Sequence, residues 1–335
     1  MDIAIVGATG NVGRKTLEVL QQKNFNINNL YLVASPNSAG KQLEFNGKKY
    51  SIENLENYDF SKAKITFFAA GGKISEQYAE KAAKHTTVID NSSYFRMDPD
   101  VPLIVPQVNA KDIQNMKKNI IANPNCSTAQ LVLVLKPLHD LFKIKRVIVS
   151  TYQSVSGGGK APMDELLQQT KMYLENKEIK SKNFTKQIAF NIIPHIDDFS
   201  EDGYTKEELK MTNETKKILD ARIELSATCV RIPVLVSHSE SVNIELREKT
   251  NCEDLKALLN ETNGVIVQDD PEKNLYPMPI YAEGKDEVFV GRIRKDFSKE
   301  NSFNLWIVSD NLRKGAATNT IQIAEYLVKN NLINK

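Results

Sequence analysis

The sequence has few cysteines and no pattern that would pair them. Only three occur among 335 residues, Cys126, Cys229 and Cys252, and none forms a C-x-x-C pair. This excludes a disulfide framework and gives no zinc signature. We therefore expect reduced thiols, no metal and a cytoplasmic location.

Long hydrophobic runs and excess charge are also missing. No stretch is long enough to cross a bilayer, and the first residues lack the basic region and cleavage site of a secretory signal. The formal net charge is +2, with 26% charged and 41% hydrophobic residues. This balance is typical of a soluble globular protein and gives no electrostatic reason to expect nucleic acid or membrane binding. The length of 335 residues predicts about two domains.

The first residues predict a strand, a glycine turn and a helix. An apolar strand over 2–6 precedes a G-x-x-G-x-x-G turn, and an amphipathic helix follows to about Gln22. In this variant of G-x-G-x-x-G, Thr9 replaces the central glycine. Such a turn can place a pyrophosphate on the helix N-terminus, although a plain strand-to-helix turn is the alternative. The predicted dinucleotide-binding residues here are Gly7, Thr9, Gly10, Asn11, Val12 and Gly13.

The end of the second strand, Leu30–Ala34, favours NADP over NAD. It carries no carboxylate to hold a ribose 2′-hydroxyl. The hydroxyls of Ser35 and Ser38 and the ammonium group of Lys41 could instead hold a 2′-phosphate. An ordinary polar surface turn is the alternative.

Further alternation of strands and helices predicts an α/β fold, with a Rossmann-like domain built on a mostly parallel sheet. Its loops at Gly71-Gly72, at 91–93 and at Asn125-Cys126 follow strands, where such sheets bind ligands. The predicted segments are strand 64–70, helix 74–84 and strands 87–89, 103–105 and 119–122.

The second half changes character and predicts an α+β catalytic and dimerisation domain with a largely antiparallel sheet. A final helix from about Leu312 to Asn330 is expected to return to the first domain. The predicted domains are thus 1–125 with 312–335, and 126–311. The strand-like runs are 146–152, 227–236, 241–248, 287–293 and 304–308.

Cys126 is the candidate nucleophile. It lies between a strand-like end at 119–122 and a helix-like run at 128–135, so its thiol falls at a helix N-terminus, which favours the thiolate. A small buried hydrophobe is the alternative. Cys252 also precedes a helix-like run, but its acidic neighbours disfavour a thiolate. Cys229 fits a packed strand.

Together these stretches resemble the aspartate-β-semialdehyde dehydrogenase family over nearly the whole chain. The resemblance implies NADPH-dependent reduction of aspartyl-4-phosphate to aspartate semialdehyde with release of phosphate, and the reverse reaction. It implies a homodimer formed through the second domain, acting in the biosynthesis of lysine (through diaminopimelate), threonine and methionine. The matching stretches are GATGNVG, SAGK, NPNCST, YQSVSGGG, EELKM, RIPVLVSHSES and SDNLRKGAATN.

The chemistry needs a thiolate, which attacks the acyl phosphate to give a thioester that a hydride can reduce, and an acid/base group. Sequence spacing alone does not choose among the four histidines. We expect His85 and His139 to be structural or solvated, and His195 is a competitor. The resemblance assigns the acid/base role to His238.

The substrate that the resemblance implies has a carboxylate, a phosphoryl group and an ammonium group. Its site should therefore supply two cations and an anion. Thr205 and Glu208 form a capping-box pattern at a helix start, and that register puts Glu207 and Lys210 on one face of the helix. If these two residues do not bind substrate, the alternative is an ordinary surface ion pair between them. By resemblance Glu207 binds the substrate ammonium group and Lys210 the phosphate. The resemblance also assigns the carboxylate to Arg231, phosphate to Arg96, a substrate contact to Asn125 and orientation of the acyl intermediate to Gln153.

Four more residues, Gly71, Gly72, Gly157 and Asn311, complete the predicted cofactor site. One departure from the family affects cofactor choice. Many bacterial members carry arginine where this chain has Asn37, so we expect activity with both cofactors and a residual preference for NADP.

Two alternatives stay open. N-acetyl-γ-glutamyl-phosphate reductase shares the fold plan and the Cys/His logic, but its substrate has no free ammonium group and gives no reason for Glu207. A non-catalytic dinucleotide-binding redox sensor would leave Cys126 structural.

Overall fold

The computed structural model describes residues 1–333. It divides into two compact units. The first comprises Met1–Asn125 and the chain from Ala316 onward, and the second is Cys126–Gly315. Within the described residues, no helix is both long and apolar enough to span a membrane.

The chain alternates strands and helices in its first part and is richer in strands later. The strands are β1 (Asp2–Val6), β2 (Asn29–Ala34), β3 (Gln42–Phe45), β4 (Lys48–Asn54), β5 (Ile65–Phe68), β6 (Thr87–Asp90), β7 (Ile120–Ala122), β8 (Ile144–Gln153), β9 (Glu224–Arg231), β10 (His238–Leu246), β11 (Val265–Val267), β12 (Val288–Lys295) and β13 (Ser302–Ser309). The helices are α1 (Asn11–Gln22), α2 (Gly72–Ala83), α3 (Pro106–Asn109), α4 (Cys126–Phe142), α5 (Lys160–Leu174), α6 (Lys206–Ile218), α7 (Cys252–Asn260), α8 (Pro279–Ala282) and α9 (Thr318–Lys329).

The first unit contains the predicted parallel sheet, in the order β3-β4-β2-β1-β5-β6-β7. All its pairs are parallel except β3–β4. The chain moves outward from β1 to β2 and later returns to the other side of β1 with β5. The glycine turn after β1 therefore lies where the strand order reverses, the usual ligand position in such sheets.

Two details of this sheet differ from the sequence prediction. The run 103–105 is no strand and makes only a single bridge, Leu103 to Ala122, because Pro102 and Pro106 flank it and cannot donate to a ladder. The hairpin of β3 and β4 was not predicted. Its turn is Asn46-Gly47, both with positive φ (49° and 72°), a pairing typical of tight hairpins.

The C-terminal helix α9 lies in the first unit. Apolar residues of α9, including Ile321, Ala324 and Leu327, are buried in the same hydrophobic cluster as β1, β2 and α1. Before α9 the chain forms a π-helical turn over Arg313–Ala317, so the α-helix begins later than the predicted Leu312.

The second unit is built on a six-stranded sheet in the order β11-β12-β13-β10-β8-β9. Three of its five strand pairs, β12–β13, β13–β10 and β10–β8, are antiparallel, as the prediction of a largely antiparallel sheet expects, and the sheet as a whole is mixed. The pairs β8–β9 and β11–β12 are parallel. Parallel neighbours need a long connection, and the segment from Gln153 to Glu224, which contains α5 and α6, supplies it for β8 and β9.

Helix α4 packs on this sheet against β8, β10, β12 and β13. Residues 127–135 are all buried, because the segment is apolar on nearly every face. The helix begins at Cys126, as expected for the candidate nucleophile, and it continues to Phe142, beyond the predicted run.

Candidate active site

The glycine turn in the first unit leaves no room for a side chain at Gly7 or Gly13. Gly7 has a φ of 82°, and a Cβ there would lie 2.6 Å from the carbonyl oxygen of Ala69. A Cβ on Gly13 would lie 2.3 Å from the carbonyl oxygen of Gly7. Helix α1 begins directly after this turn, with no acidic residue in its first turn and no side-chain hydrogen bond from its N-cap, Gly10. This arrangement suits an anionic ligand such as a pyrophosphate.

The loop after β2 carries the residues predicted to choose the cofactor. Ser35 precedes a short 3₁₀ turn over Pro36–Ser38, closed by a 2.9 Å hydrogen bond from the Ser38 N–H to the Ser35 carbonyl. Ser35, Asn37 and Lys41 are exposed. Because the segment holds hydroxyls and a cation but no carboxylate, its donor set fits a 2′-phosphate.

Arg96 fixes two loops of the first unit. Its side chain is 8% exposed, Nε donates to the carbonyl oxygen of Asn123 (2.9 Å), and Nη2 donates to that of Asn91 (2.9 Å). These loops follow β7 and β6. Asn125, two residues beyond Asn123, is also buried.

Cys126 is the first residue of α4 and is partly exposed. The π-helical turn approaches it closely. A Cβ built on Gly315 would lie 2.5 Å from the Cβ of Cys126 and 2.9 Å from its Cα. Only glycine therefore allows the backbone at 315 to pack against the thiol residue.

Gln153, at the end of β8, connects the nucleophile helix to the predicted ammonium site. Its Nε2 donates to Ser127 Oγ (2.6 Å) and to Glu207 Oε1 (3.2 Å). Glu207 Oε2 accepts from Lys210 Nζ at 3.2 Å, and Lys210 also donates to Asp197 at 2.7 Å. Burial acts to lower the pKa of Lys210, but the two carboxylates outweigh it and raise that pKa above its ordinary value. The ion pair that the sequence analysis gave as the alternative thus forms, with Glu207 buried and with Asp197 as an additional partner.

The backbone of Ser154 holds both Arg231 and His238. Its N–H donates to His238 Nδ1 at 3.0 Å, and its carbonyl accepts from Arg231 Nη1 at 2.6 Å. His238 is fully buried, and burial, with a smaller contribution from Arg231, lowers its pKa to about 3. Burial also lowers the pKa of Arg231, against the opposing effect of Glu207 and Cys126.

The other histidines have different surroundings. His195 stacks on Phe199 with ring centroids 4.6 Å apart and is partly exposed. His139 Nε2 lies 3.4 Å from Asp220, and His85 is exposed. His238, bonded through Ser154 to Arg231, is the histidine that shares a buried polar cluster with other predicted site residues.

Asn311 and Gly157 line the same cluster. Asn311 Oδ1 accepts from the N–H of Ser237 (2.9 Å) and from the hydroxyls of Ser154 and Ser156 (3.1 Å each). A Cβ on Gly157 would lie 3.1 Å from Arg231 Nη1 and 3.3 Å from His238 Nε2. Asn311 therefore orders loops around His238, and its predicted contact with the nicotinamide stays a prediction.

Several residues of this site were not singled out from the sequence. The residues missed are Ser127, Ser154, Asp197 and Gly315. Ser127, Ser154 and Gly315 lie within the family-like stretches NPNCST, YQSVSGGG and SDNLRKGAATN, but those stretches do not reveal the contact that each residue makes. Asp197 lies outside them and is a second partner of Lys210.

Among the described residues, neither Cys229 nor a metal-binding group adds to this cluster. Cys229 is buried with its Sγ 3.7 Å from Met211 Sδ, and burial raises the pKa of its thiol. Within residues 1–333, no group of three or more His, Cys, Asp or Glu side chains has a geometry that could hold a metal ion.

Comparison with known proteins identifies the family. Residues 2–116 match the model described as semialdehyde dehydrogenase, NAD binding domain, and residues 135–314 match its dimerisation domain. The aspartate-semialdehyde dehydrogenase of Aquifex aeolicus is 56% identical, over 99% of both chains. The crystal structure of aspartate semialdehyde dehydrogenase II complexed with ASA from Vibrio cholerae is 48% identical, with a TM-score of 0.96 over 98% of each chain. That of the Candida albicans enzyme with NADP is 26% identical, with a TM-score of 0.76 over 99% of each chain. The chain belongs to the aspartate-semialdehyde dehydrogenase family.

Proposed function

We propose that this protein catalyses the NADPH-dependent reductive dephosphorylation of aspartyl-4-phosphate to aspartate semialdehyde and the reverse reaction, in amino-acid biosynthesis. The observation that carries the proposal is the position of Cys126. It is the first residue of α4, and Ser127 beside it is bonded to Gln153, whose amide also contacts Glu207. A solved relative of 48% identity carries ASA, which supports the same substrate here.

In this proposal the Cys126 thiolate attacks the acyl carbon of the substrate. A C–S bond forms, the bond to the phosphate oxygen breaks, and a thioester remains on Cys126. The helix N-terminus of α4 favours the thiolate and provides N–H groups near the developing oxyanion. When bound, NADPH supplies the hydride that reduces the thioester.

The charged residues match the three charged groups of the substrate. Arg231 presents a planar guanidinium, which suits a carboxylate, and it is held by the Ser154 carbonyl. Glu207 is 6% exposed and provides a carboxylate for the ammonium group. Lys210 and Arg96 are assigned to the phosphate. Lys210 is paired with Glu207 and Asp197, and its ammonium group has a third N–H that could bind phosphate.

The cofactor assignment rests on the glycine turn and the loop after β2. The backbone at Gly7, Thr9, Gly10, Asn11, Val12 and Gly13 would hold the pyrophosphate, and Ser35, Ser38 and Lys41 the 2′-phosphate. Gly71, Gly72, Gly157 and Asn311 complete the proposed set.

We also propose that the protein is a homodimer formed through the second unit. The matched family model is described as a dimerisation domain. On β8, Ile148 is 37% exposed, and Tyr152 of the same strand packs against the partly buried Trp306 of β13. Burying this apolar face against a second copy would remove it from water. Light scattering of the protein as it elutes from a size-exclusion column measures its mass and so tests the dimer. A monomeric mass at micromolar concentration would contradict it. A cytoplasmic location stays a prediction, compatible with three free cysteines.

The decisive assay supplies aspartate semialdehyde, phosphate and NADP and follows NADPH by absorbance. N-acetylglutamate semialdehyde is the parallel substrate. We expect NADPH only with the free amino compound, because Glu207 has no partner on an acylated nitrogen. Absence of NADPH with aspartate semialdehyde would overturn the proposed function. Turnover with the acylated substrate alone would favour N-acetyl-γ-glutamyl-phosphate reductase.

A further inference from the structure

Asp197 lies in a loop that is fixed on both sides of it. Before Asp197 the loop is anchored to β9, because Ile193 and Arg231 exchange two backbone hydrogen bonds, of 3.0 and 2.8 Å. After it, the carbonyl oxygen of Asp198 accepts from the N–H of Lys206, the first residue of α6, at 2.9 Å. Asp197 has a φ of 69°, a left-handed conformation that aspartate and asparagine adopt more readily than most residues. The backbone therefore fixes where the side chain of Asp197 begins.

The Asp197 side chain is a charged carboxylate bonded to Lys210. Its Oδ2 accepts from Lys210 Nζ at 2.7 Å, and its Oδ1 accepts from the N–H of Asp198 at 2.9 Å. Burial acts to raise the pKa of Asp197, but these hydrogen bonds and the charge of Lys210 outweigh it and lower that pKa below its ordinary value. The bond from Lys210 to Glu207 is longer, at 3.2 Å. Asp197 is therefore the closer of the two carboxylates to the ammonium group.

Lys210 has little capacity left for an anion. An ammonium group has three N–H donors, and Lys210 gives one to Asp197 and one to Glu207. One donor remains for a phosphate oxygen. Two carboxylates face one ammonium group, so these three side chains together have a net negative charge, which opposes the approach of an anion. The charge of Lys210 is thus already compensated before phosphate binds.

The two carboxylates differ in what happens to their charge when substrate binds. In the proposed function Glu207 pairs with the ammonium group of the substrate, and its Oε1 already accepts from Gln153 at 3.2 Å. The substrate therefore neutralises the charge of Glu207. No group of the substrate is assigned to Asp197, so its negative charge remains beside Lys210 while phosphate is bound there.

We propose that Asp197 is a positioning residue that holds the Lys210 ammonium group in place and weakens its grip on phosphate. This inference rests on the proposed function and deepens it, because phosphate is a product in one direction of that reaction and a substrate in the other. The ligand is inorganic phosphate or the phosphoryl group of the acyl phosphate. A weak grip favours the departure of phosphate once the thioester has formed.

Asp197→Asn removes the charge with little change in shape. The amide oxygen can still accept from Lys210, and asparagine tolerates the left-handed φ, so the ammonium group stays in place. Inorganic phosphate is titrated into each protein in a calorimeter, with excess NADP present to occupy the glycine turn. We expect the variant to bind phosphate about fivefold more tightly, the size of a screened interaction between partly exposed charges. An equal or weaker affinity would overturn the proposal.

The matched control is Asp198→Asn, one residue further along the same loop. The Asp198 carboxylate accepts from Lys206 Nζ at 2.7 Å, the same distance as the bond between Asp197 and Lys210. We expect the affinity for phosphate to be unchanged in this control, because its charge pairs with a different lysine. Equal tightening in both variants would overturn the proposal, since the loss of any nearby negative charge would then have the same effect.

Steady-state kinetics separate the proposed role from a merely structural one. With aspartate semialdehyde, phosphate and NADP, the KM of Asp197→Asn for phosphate should fall about fivefold and the KM for aspartate semialdehyde should stay the same. A loop that had merely lost its structure would raise one or both values, and a raised KM for phosphate would overturn the inference. Absence of turnover by the unsubstituted protein would count against the proposed function instead. The titration needs no turnover, so the two failures are distinguishable.

Discussion

Replacing Glu240 with glutamine is expected to stabilise the protein increasingly as the pH rises. Glu240 lies on β10, two residues beyond His238, and is fully buried. Within residues 1–333, neither of its carboxyl oxygens has a hydrogen-bond partner. Burial raises its pKa well above the ordinary value of 4.5, and the polar side chain of Gln130 offsets only part of this effect. The folded protein therefore holds Glu240 as a neutral acid.

The magnitude follows from proton linkage. Below the unfolded-state pKa of 4.5, Glu240 is protonated in both states and the pH has no effect through this group. Above that pKa the unfolded chain releases the proton and the folded chain keeps it, so stability falls by about 1.4 kcal/mol per pH unit up to the folded-state pKa. By about pH 7.5 the loss reaches up to about 4 kcal/mol. Glutamine has no proton to release, so the variant escapes this loss.

The measurement is urea-induced unfolding of both proteins at about pH 5, 6, 7 and 7.5, at one fixed protomer concentration. The other titrating groups contribute equally to the unfolding free energies of the variant and of the unsubstituted protein. Their contributions cancel in the difference between the two free energies, which should rise with pH. Glu165→Gln is the control. That carboxylate accepts from the N–H groups of Lys182 and Asn183, so its loss should destabilise the protein without the rising pH dependence. A Glu240 difference that stays constant from about pH 5 to pH 7.5 would refute a neutral Glu240.

Three further outcomes test the active-site assignments. Cys126→Ser should lose at least about 10³-fold in kcat while still binding NADPH by fluorescence, because a hydroxyl is a poor nucleophile without comparable activation; near-normal turnover would reject the nucleophile. Initial rates should show activity with both cofactors and a higher kcat/KM with NADP, with Asn37→Arg widening that gap by adding a cation for the 2′-phosphate; an equal or higher value with NAD would contradict the assignment. Gly315→Ala should slow alkylation of Cys126 by a thiol reagent, because the new Cβ would lie 2.5 Å from the Cys126 Cβ. The matched control is Gly291→Ala, which introduces a similarly close contact away from Cys126, because its Cβ would lie 2.1 Å from the Gln268 carbonyl oxygen. An equal alkylation rate of Cys126 in the two variants would refute the positioning role of Gly315.

Local signals made part of the structure predictable. The capping box of α6 forms as expected, with Thr205 and Glu208 exchanging both hydrogen bonds. The start of α4 at Cys126 and the end of α1 at Gln22 also agree with the sequence. In each case neighbouring residues determine the conformation, so a single sequence contains the necessary information.

The positioning of the site depends on features that leave no such signal. Ser154 acts through its backbone N–H and carbonyl, which every residue except proline possesses. Asp197 reaches Lys210 from a loop position with a φ of 69°, and side-chain type alone does not predict that contact. Gly315 matters because of a neighbour 189 positions earlier in the chain, at Cys126. These contacts exist only once the second unit has folded.

The parallel pairing of β9 with β8, which the sequence did not predict, assembles the site. Strand β9 runs parallel to β8, with Gln153 opposite Arg231 and Arg146 opposite Glu224. Had β9 run antiparallel to β8 over the same residues, Arg231 would lie opposite Arg146, roughly 23 Å from Gln153 at about 3.3 Å per residue. The parallel register brings the predicted carboxylate-binding arginine level with the glutamine bonded to Ser127. The antiparallel pairing of β8 with β10 places Tyr152 opposite Ser239, so His238 reaches the same end of the sheet. The long crossover through α5 and α6 permits this parallel pairing, and the same crossover carries Glu207 and Lys210. The mixed topology therefore explains why residues from four separate segments meet beside the start of α4.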